Sequence, residues 1–557
     1  MRLIALIFLS FTFLCQHGYA DTHAAATCEN KTGELTVQAA VDASADGDMV
    51  TIPAGTCNWD TTVSWLNKNI RLVGAGEGVT VINVPSTGIS VLTDTKANFR
   101  ISGMTINMTA NGYGIRIANN THTPVGGTYS AGWRLDHLTI TANNLTSVRA
   151  IIVFGLTYGL LDHVIYSSNY NTSQFLTHYA YTNDNSEADG QPFNQGAISW
   201  GLNHSLGDAN AIYVEDCSVT ATGTMGWAAD VWYGGEVVFR YSTLTKQQIS
   251  THGARGTARG GKRMEVYGNS MTAGNDSRVV WWRSGTGVVF DNTLGSESSI
   301  SVDNQRTCCN MSTRCDGNAT DYDGNTAGEY GWPCLDQAGR GYGAPKSQTS
   351  VPIYAWNNNA GAKTITLGTD QVDDYCGTGN LCQTTSPPLF TTHIKTTGSE
   401  HTGGVVDYVN NGTTPKAGYT PYGDYSSTLD RYYHPLRGED VTAPSVTAFV
   451  IPAASSSLTV PITTFTISDG EYCIQPTNSS TGCTWYASAP TTYPFGTQGA
   501  KTLYAFAKDA AGNISTNTAT NEVDTDGVTI TLVSGATVTY TSGSNAVRGA
   551  GSNAVRQ

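Results

Sequence analysis

The chain has 557 residues, 30 of them Lys or Arg and 44 Asp or Glu, giving a formal net charge of −14. A chain this acidic lacks the electrostatic footprint of a generic binder of nucleic acid or of anionic membranes. Only 13% of residues are charged and Gly alone numbers 61, a mixture that points to an extracellular all-β protein with many tight turns rather than a helical one.

The first twenty residues, MRLIALIFLSFTFLCQHGYA, place Arg2 before an apolar run too short to cross a bilayer and end on Gly18 and Ala20. Residues 1–20 therefore read as a cleaved secretory signal, with the mature chain beginning near Asp21 and located outside the cell or on its surface. Phe13 and Leu14 are too large to precede a lipoprotein cysteine at Cys15. No later stretch stays apolar for about eighteen residues, so no membrane span is expected.

In an oxidising compartment the cysteines are expected to pair. Local spacing suggests Cys28 with Cys57, Cys376 with Cys382, Cys473 with Cys483, and two bridges among Cys308, Cys309, Cys315 and Cys334; a zinc cluster is the rival reading of the last group. Cys217, inside the strand-like AIYVEDCSVT, is the odd one and reads as a buried free thiol.

After the signal, the spacing predicts a short amphipathic helix at Val37–Ala43, a Gly-Asp turn, and strands at Met49–Ile52 and Ile70–Val73. Such a helix caps the open end of a stack of strands and shields it from edge pairing. Short segments then recur: ISGMTI from Ile101, LDHLTI from Leu135, LDHVIY from Leu161, VEDCSV from Val214, FRYSTL from Phe239, VYGNSM from Val266, VFDNTL from Val289 and, more loosely, AWNNN from Ala355. Most starts lie about 25 residues apart; the 53-residue interval before Val214 reads as two units and the 66-residue interval before Ala355 as one unit with an insertion. A period of this length with β-branched runs and Gly or Asn punctuation indicates stacked coils of a parallel β-solenoid. In it, Asn269 and Asn292 would form a hydrogen-bonding ladder at an inner turn.

The opening and the strands FRISGMTI and WRLDHLTI resemble the right-handed single-stranded parallel β-helix proteins of the pectate-lyase-like superfamily over roughly residues 28–435. The resemblance implies a fold and leaves activity open, since that superfamily includes polysaccharide lyases, glycoside hydrolases, epimerases and non-enzymatic adhesins. The β-helix is assigned to 21–439. From about 440 to 532, short alternating strands such as TTFTISDGEYCIQ look like a small immunoglobulin-like β-sandwich, and 533–557, with a duplicated GSNAVR, reads as a low-complexity tail.

The second position of the repeat runs Ser102, Asp136, Asp162, Glu215, Arg240, Tyr267, Phe290. Stacked at about 4.8 Å, Asp136 and Asp162 are neighbours, with Glu215 two coils beyond and Arg240 next to it. Stacked like charges repel, so a cation or an Arg must compensate them, and calcium suits carboxylate oxygens. The resemblance implies calcium at Asp136 by motif and at Asp162 by repeat position, with Glu215 a further candidate ligand. It also implies an Arg or Lys base acting beside a substrate carboxylate, and Arg240, His252, Arg255, Arg259 and Lys262 are candidates because crowded cations lower one another's pKa. Arg263 is a candidate substrate-carboxylate ligand. Trp232, Tyr233, Trp281 and Trp282 are candidate sugar platforms.

Each has a plainer reading: acids bonding backbone at a bend, His137 and His163 stacking at a repeated turn, a solvated loop punctuated by Gly253, Gly256, Gly260 and Gly261, and tryptophans packed in the core. The DYDGN run near Asp321 lacks the later glutamate of a calcium loop. The sequence thus leads to a calcium-dependent lyase of extracellular acidic polysaccharide, with a non-catalytic matrix or adhesin-like protein as the rival. A glycoside hydrolase using Asp136 with Asp162, or Glu215 with Asp216, comes third.

Overall fold

The computed structural model describes residues 21–119, 130–181, 195–254, 258–302, 336–343, 348–360, 366–367, 406–426 and 431–437, and in a second unit most of 444–524 with short strand pairs beyond. Residues 1–20, Arg255, the DYDGN run and Cys308, Cys309, Cys315, Cys334, Cys376 and Cys382 lie outside the described residues. Contacts divide the chain at Arg437/Gly438.

The first unit is built on two long parallel sheets, one of 19 strands and one of 10. Each repeat supplies two short strands to the larger sheet, bends between them, and then adds one strand to the smaller sheet. The bend is a single left-handed residue, at Gly103, His137, His163, Asp216, Tyr241, Gly268, Asp291 and Asn357 in successive repeats. That conformation is free for Gly and tolerable for Asp, Asn and His, so the column is rich in these types; Tyr241 is the exception. Positions flanking the bend point into one core: Ile101, Leu135, Leu161, Val214, Phe239, Val266 and Val289 before it, and Met104, Leu138, Val164 and Cys217 after it. Inward residues of the ten-stranded sheet, Ile151, Leu176, Ala229, Ile249 and Val280, close the same core. Each such side chain contributes about 1.5–3 kcal/mol.

Where the post-bend position turns polar, the core is kept satisfied by a ladder. Cys217 N donates to Ser242 Oγ at 3.1 Å and Ser242 N to Asn269 Oδ1 at 2.9 Å. Asn292 Oδ1 accepts from Asn269 N and Nδ2 at 3.0 Å, and Asn292 Nδ2 donates to Val266 O and to Asn358 Oδ1, both at 2.9 Å. Asn292→Ala strands buried groups on both sides and is expected to cost about 3 kcal/mol, read as a lower urea midpoint with an unchanged slope.

The register of the repeat is as aligned from sequence: Ser102 pairs with Asp136, Asp136 with Asp162, Glu215 with Arg240, Arg240 with Tyr267 and Tyr267 with Phe290. One interval is corrected. Asp162 pairs directly with Glu215, so the 53-residue interval is one unit carrying an insertion, not two units, and Glu215 stands one coil from Asp162. The insertion includes a short helix, Ala197–Gly201. The 66-residue interval is one unit with an insertion, since Phe290 pairs with Trp356.

At the start of the stack, the helix Thr36–Ala43 buries Val37 and Val41 against the first strands of both sheets, Met49–Ile52 and Val63–Leu66. Cys28 is bonded to Cys57 and Cys473 to Cys483, while Cys217 is a buried free thiol. The second unit is antiparallel: Glu471–Gln475, Ala500–Lys508 and Ala519–Asp524 form one sheet, Val446–Val450 pairs with Thr464–Ile467, and Thr459–Pro461 with Thr492–Pro494. Phe449, Val460, Phe465, Ile474 and Leu503 pack between them. In the tail, Val538–Thr539 pairs with Arg548–Gly549. Among the described residues no helix is long and apolar enough to cross a membrane.

Candidate functional site

The second-position column lies just before the bend and faces outward, yet it is covered. Residues 419–426 and 431–437 fold back across it as a strap: Arg240 donates to Tyr422 O at 2.8 Å, and His434 N donates to Glu215 Oε1 at 2.9 Å. The strap also lays Tyr419, Tyr422 and Leu436 over a buried patch of Tyr213, Val238, Tyr267, Phe290 and Trp356.

Beneath it, arginines neutralise every acid of the column. Asp136 accepts from Arg100 Nε and Nη2 at 2.7 and 2.6 Å and from His137 Nδ1 at 2.8 Å. Asp162 accepts from Arg134 Nε and Nη2, both at 2.8 Å, and from His163 Nδ1 at 3.0 Å. Glu215 holds Arg240, which also donates to Tyr267 Oη at 2.8 Å, and Asp216 holds Arg431 and Arg437. Burial pushes the Asp136 carboxyl up, but His137, Arg100 and Arg134 outweigh it and bring its pKa down to about 2. His137 and His163 stack, ring centroids 4.9 Å apart.

Calcium does not fit this column. Asp136 and Asp162 spend their oxygens on guanidinium and imidazole donors, Glu215 Oε1 accepts from Arg240 and His434 N while its buried Oε2 faces Arg437 at 3.9 Å, and among the described residues no group of three His, Cys, Asp or Glu side chains is arranged to hold a metal. The compensation that stacked acids require is supplied by Arg100, Arg134 and Arg240. Asp136 and Asp162 are thus held as ion-paired carboxylates, and Asp216 is held by Arg431 and Arg437.

The basic segment is not a solvated loop. Arg259, Lys262 and Arg263 are each no more than 2% exposed, and each is neutralised. Arg259 is bidentate on Asp336 at 2.7–2.9 Å. Lys262 Nζ donates to Glu236 Oε1 at 3.1 Å and to the carbonyls of Ser199 and Leu202 at 2.7 and 2.9 Å. Arg263 meets Glu236 at 2.9 Å and Asp208 at 2.8 Å. Burial lowers the Lys262 pKa. It pulls the same way on Arg263, but Glu236, Asp208 and Glu265 overcome it and hold the guanidinium above its ordinary value. Buried His252 stacks on Trp232.

The outer face of the ten-stranded sheet is different in kind. Parallel register aligns Phe154, Tyr179 and Trp232 in one row, and Arg149, Gln174 and Trp227 in another. Tyr179, Tyr181, Trp232 and Tyr233 are half-buried and contact one another, with centroids 4.4–6.3 Å apart. Two cations stand among these rings. Arg116 lies over Phe154 at 5.5 Å and donates to Ser90 Oγ. Arg149 lies over Tyr179 at 5.9 Å, donates to its hydroxyl at 3.3 Å, and has a buried Nε without a partner. Neither forms an ion pair among the described residues. Farther along, Arg278 and Arg283 flank Trp281 at 3.7 and 4.2 Å, each also holding an acid, Asp276 or Asp230.

Of the aromatic candidates, Trp232 and Tyr233 belong to this face, Trp281 lies buried between arginines, and Trp282 is in the core. Sequence reasoning missed Arg116, Arg149, Tyr179 and Tyr181. The signal was a second repeat, GIRIA, AIIVF, FLTHY and AADVW, whose alternate positions form the outward rows. Compared with protein-family models, curated proteins and solved structures, the chain finds no match.

Proposed function

We propose that the protein is a secreted right-handed parallel β-helix of the pectate-lyase-like type, carrying an immunoglobulin-like module, that binds an extracellular acidic polysaccharide along the outer face of its ten-stranded sheet. The observation that carries this reading is the placement of Arg116 and Arg149, cations without a carboxylate partner, among half-exposed aromatic rings. Rings offer flat apolar surface to sugar rings, and guanidiniums pair with carboxylates in a fixed fork. Rows that repeat every coil, at about 4.8 Å, suit a linear polymer. Export fits the opening segment and the disulfides.

The reaction the resemblance implies for such a polymer is β-elimination, in which a base removes the proton beside the carboxylate and cations stabilise the enolate. A non-catalytic role is the second reading, favoured by the neutralisation of Arg240, Arg259, Lys262 and Arg263.

Affinity electrophoresis against polygalacturonate, alginate and a neutral glucan tests the binding. Retardation is expected only with the acidic polymers and is expected to weaken with salt. Arg149→Ala and Trp232→Ala should each weaken it about tenfold, roughly 1.4 kcal/mol. Equal retardation by the neutral glucan, or none by any polymer, sinks the proposal. Ultraviolet absorbance of unsaturated product in the same mixtures separates lyase from binder.

A further inference from the structure

A cavity of about 380 Å³ opens on the other sheet, between the insertion at 203–206, residues Gly341, Tyr342, Thr349 and Val351, and the start of the strap. Lys262 and Arg263 form part of its wall, but Lys262 spends its donors on Glu236 and two carbonyls, and Arg263 is locked by Glu236, Asp208 and carbonyls. Neutralised by Glu236 and Asp208, they line the wall but offer it neither net charge nor a free donor.

Three other groups do offer one. His204 Nδ1 donates to Glu236 Oε1 at 2.6 Å, which fixes the ring and leaves Nε2 as its remaining polar atom. Thr286 Oγ1 is buried in a residue only 6% exposed and has no partner. Lys416 makes one weak contact, 3.5 Å to Ala417 O, and otherwise lies over the Tyr354 ring. Among the described residues no Asp or Glu lines the cavity, while Tyr342 and Tyr419 supply aromatic surface.

We propose that this cavity is a binding site for a single carboxylate-bearing sugar unit. The ring would rest against tyrosine, its hydroxyls would meet Thr286 Oγ1 and His204 Nε2, and its carboxylate would meet Lys416. The volume is at the small end of ligand pockets, about 300–1,000 Å³, so the site takes one or two sugar rings rather than a running polymer. It is separate from the aromatic face of the ten-stranded sheet.

Isothermal titration of the full chain with sodium galacturonate, sodium glucuronate and neutral galactose tests it. Binding of at least one uronate near about 1 mM is expected, with galactose at least tenfold weaker. Thr286→Val and Lys416→Gln should each weaken uronate binding about tenfold, and running the same two variants against polygalacturonate in affinity electrophoresis keeps failure of this site distinguishable from failure of the polysaccharide face. A trigalacturonate arm separates free monosaccharide from a polymer end: comparable affinity assigns the site to chain termini, and exclusion assigns it to the monosaccharide. No uronate binding, equal binding of galactose, or binding untouched by both cavity variants overturns the proposal.

Discussion

Replacing Glu236 with glutamine is expected to lower folding stability by about 3–5 kcal/mol, because it leaves buried cations without their counter-charge. Glu236 is fully buried and meets Lys262, Arg263 and His204 within 3.1 Å. Burial alone would raise its pKa; Lys262, Arg263 and His204 instead hold it far below the carboxylate range. The glutamine keeps the shape and removes only the charge. Adding Lys262→Met to Glu236→Gln should recover part of the loss, since the second change removes one orphaned cation and the two sites are in contact. Urea unfolding of the two variants at neutral pH measures both effects. A Glu236→Gln protein as stable as the parent would mean that the network is not the electrostatic unit its geometry describes.

Acidification is expected to loosen the strap before it disturbs Asp136 and its arginine. His434 is buried beside Tyr213 and Tyr422; burial, with Arg240 and Arg134 nearby, lowers its pKa to about 3 despite Asp162. Its Nδ1 accepts from Leu436 N at 3.0 Å, so the neutral ring is built into the strap. A histidine depressed in the fold contributes stability that is full above its unfolded pKa of about 6.5 and is lost as pH falls toward the folded value. Between about pH 6.5 and pH 4 the loss attributable to His434 is about 3 kcal/mol. His178, fully buried and lowered by burial, works in the same window, so the parent protein loses more than this share. Asp136, with its pKa near 2, gives way only below the ordinary carboxylate range. Stability curves for the parent and His434→Gln, taken from pH 7 to about pH 4, should therefore converge as the pH falls. Parallel curves would show that His434 does not titrate against the fold.

The architecture was legible because it is written in repeated positions. Register along the second-position column followed from aligned hexapeptides, and the Asn269–Asn292 ladder from two residues at one repeat position. The 53-residue interval misled because arithmetic on spacing assumes a constant unit, while the inserted segment brings its own helix and turns. The basic segment misled for another reason: Arg259 finds Asp336 77 residues away, and Lys262 and Arg263 find Glu236 on the preceding rung. Neither pairing leaves a local pattern. The strap was silent too, since 419–437 has no period and its anchors, Arg431 and Arg437, meet Asp216 from more than 200 residues away.

From Gly103 onward the bend between the paired strands of the larger sheet is one left-handed residue, and the following turn into the ten-stranded sheet never exceeds five residues from Val148 to Val302. The long additions between strands fall at the third corner, after Ala118, Tyr179, Thr251, Val302 and Leu367. Two corners thus act as a binding edge, and the third as the open margin where text can be added without moving a line. Two of the cavity's segments, near His204 and Tyr342, are written in that margin, and Lys416 joins them from the segment after Tyr408–Asn410. The cavity's lining can be rewritten by exchanging inserted segments while the stacked rungs, and the outward aromatic rows they align, keep their spacing.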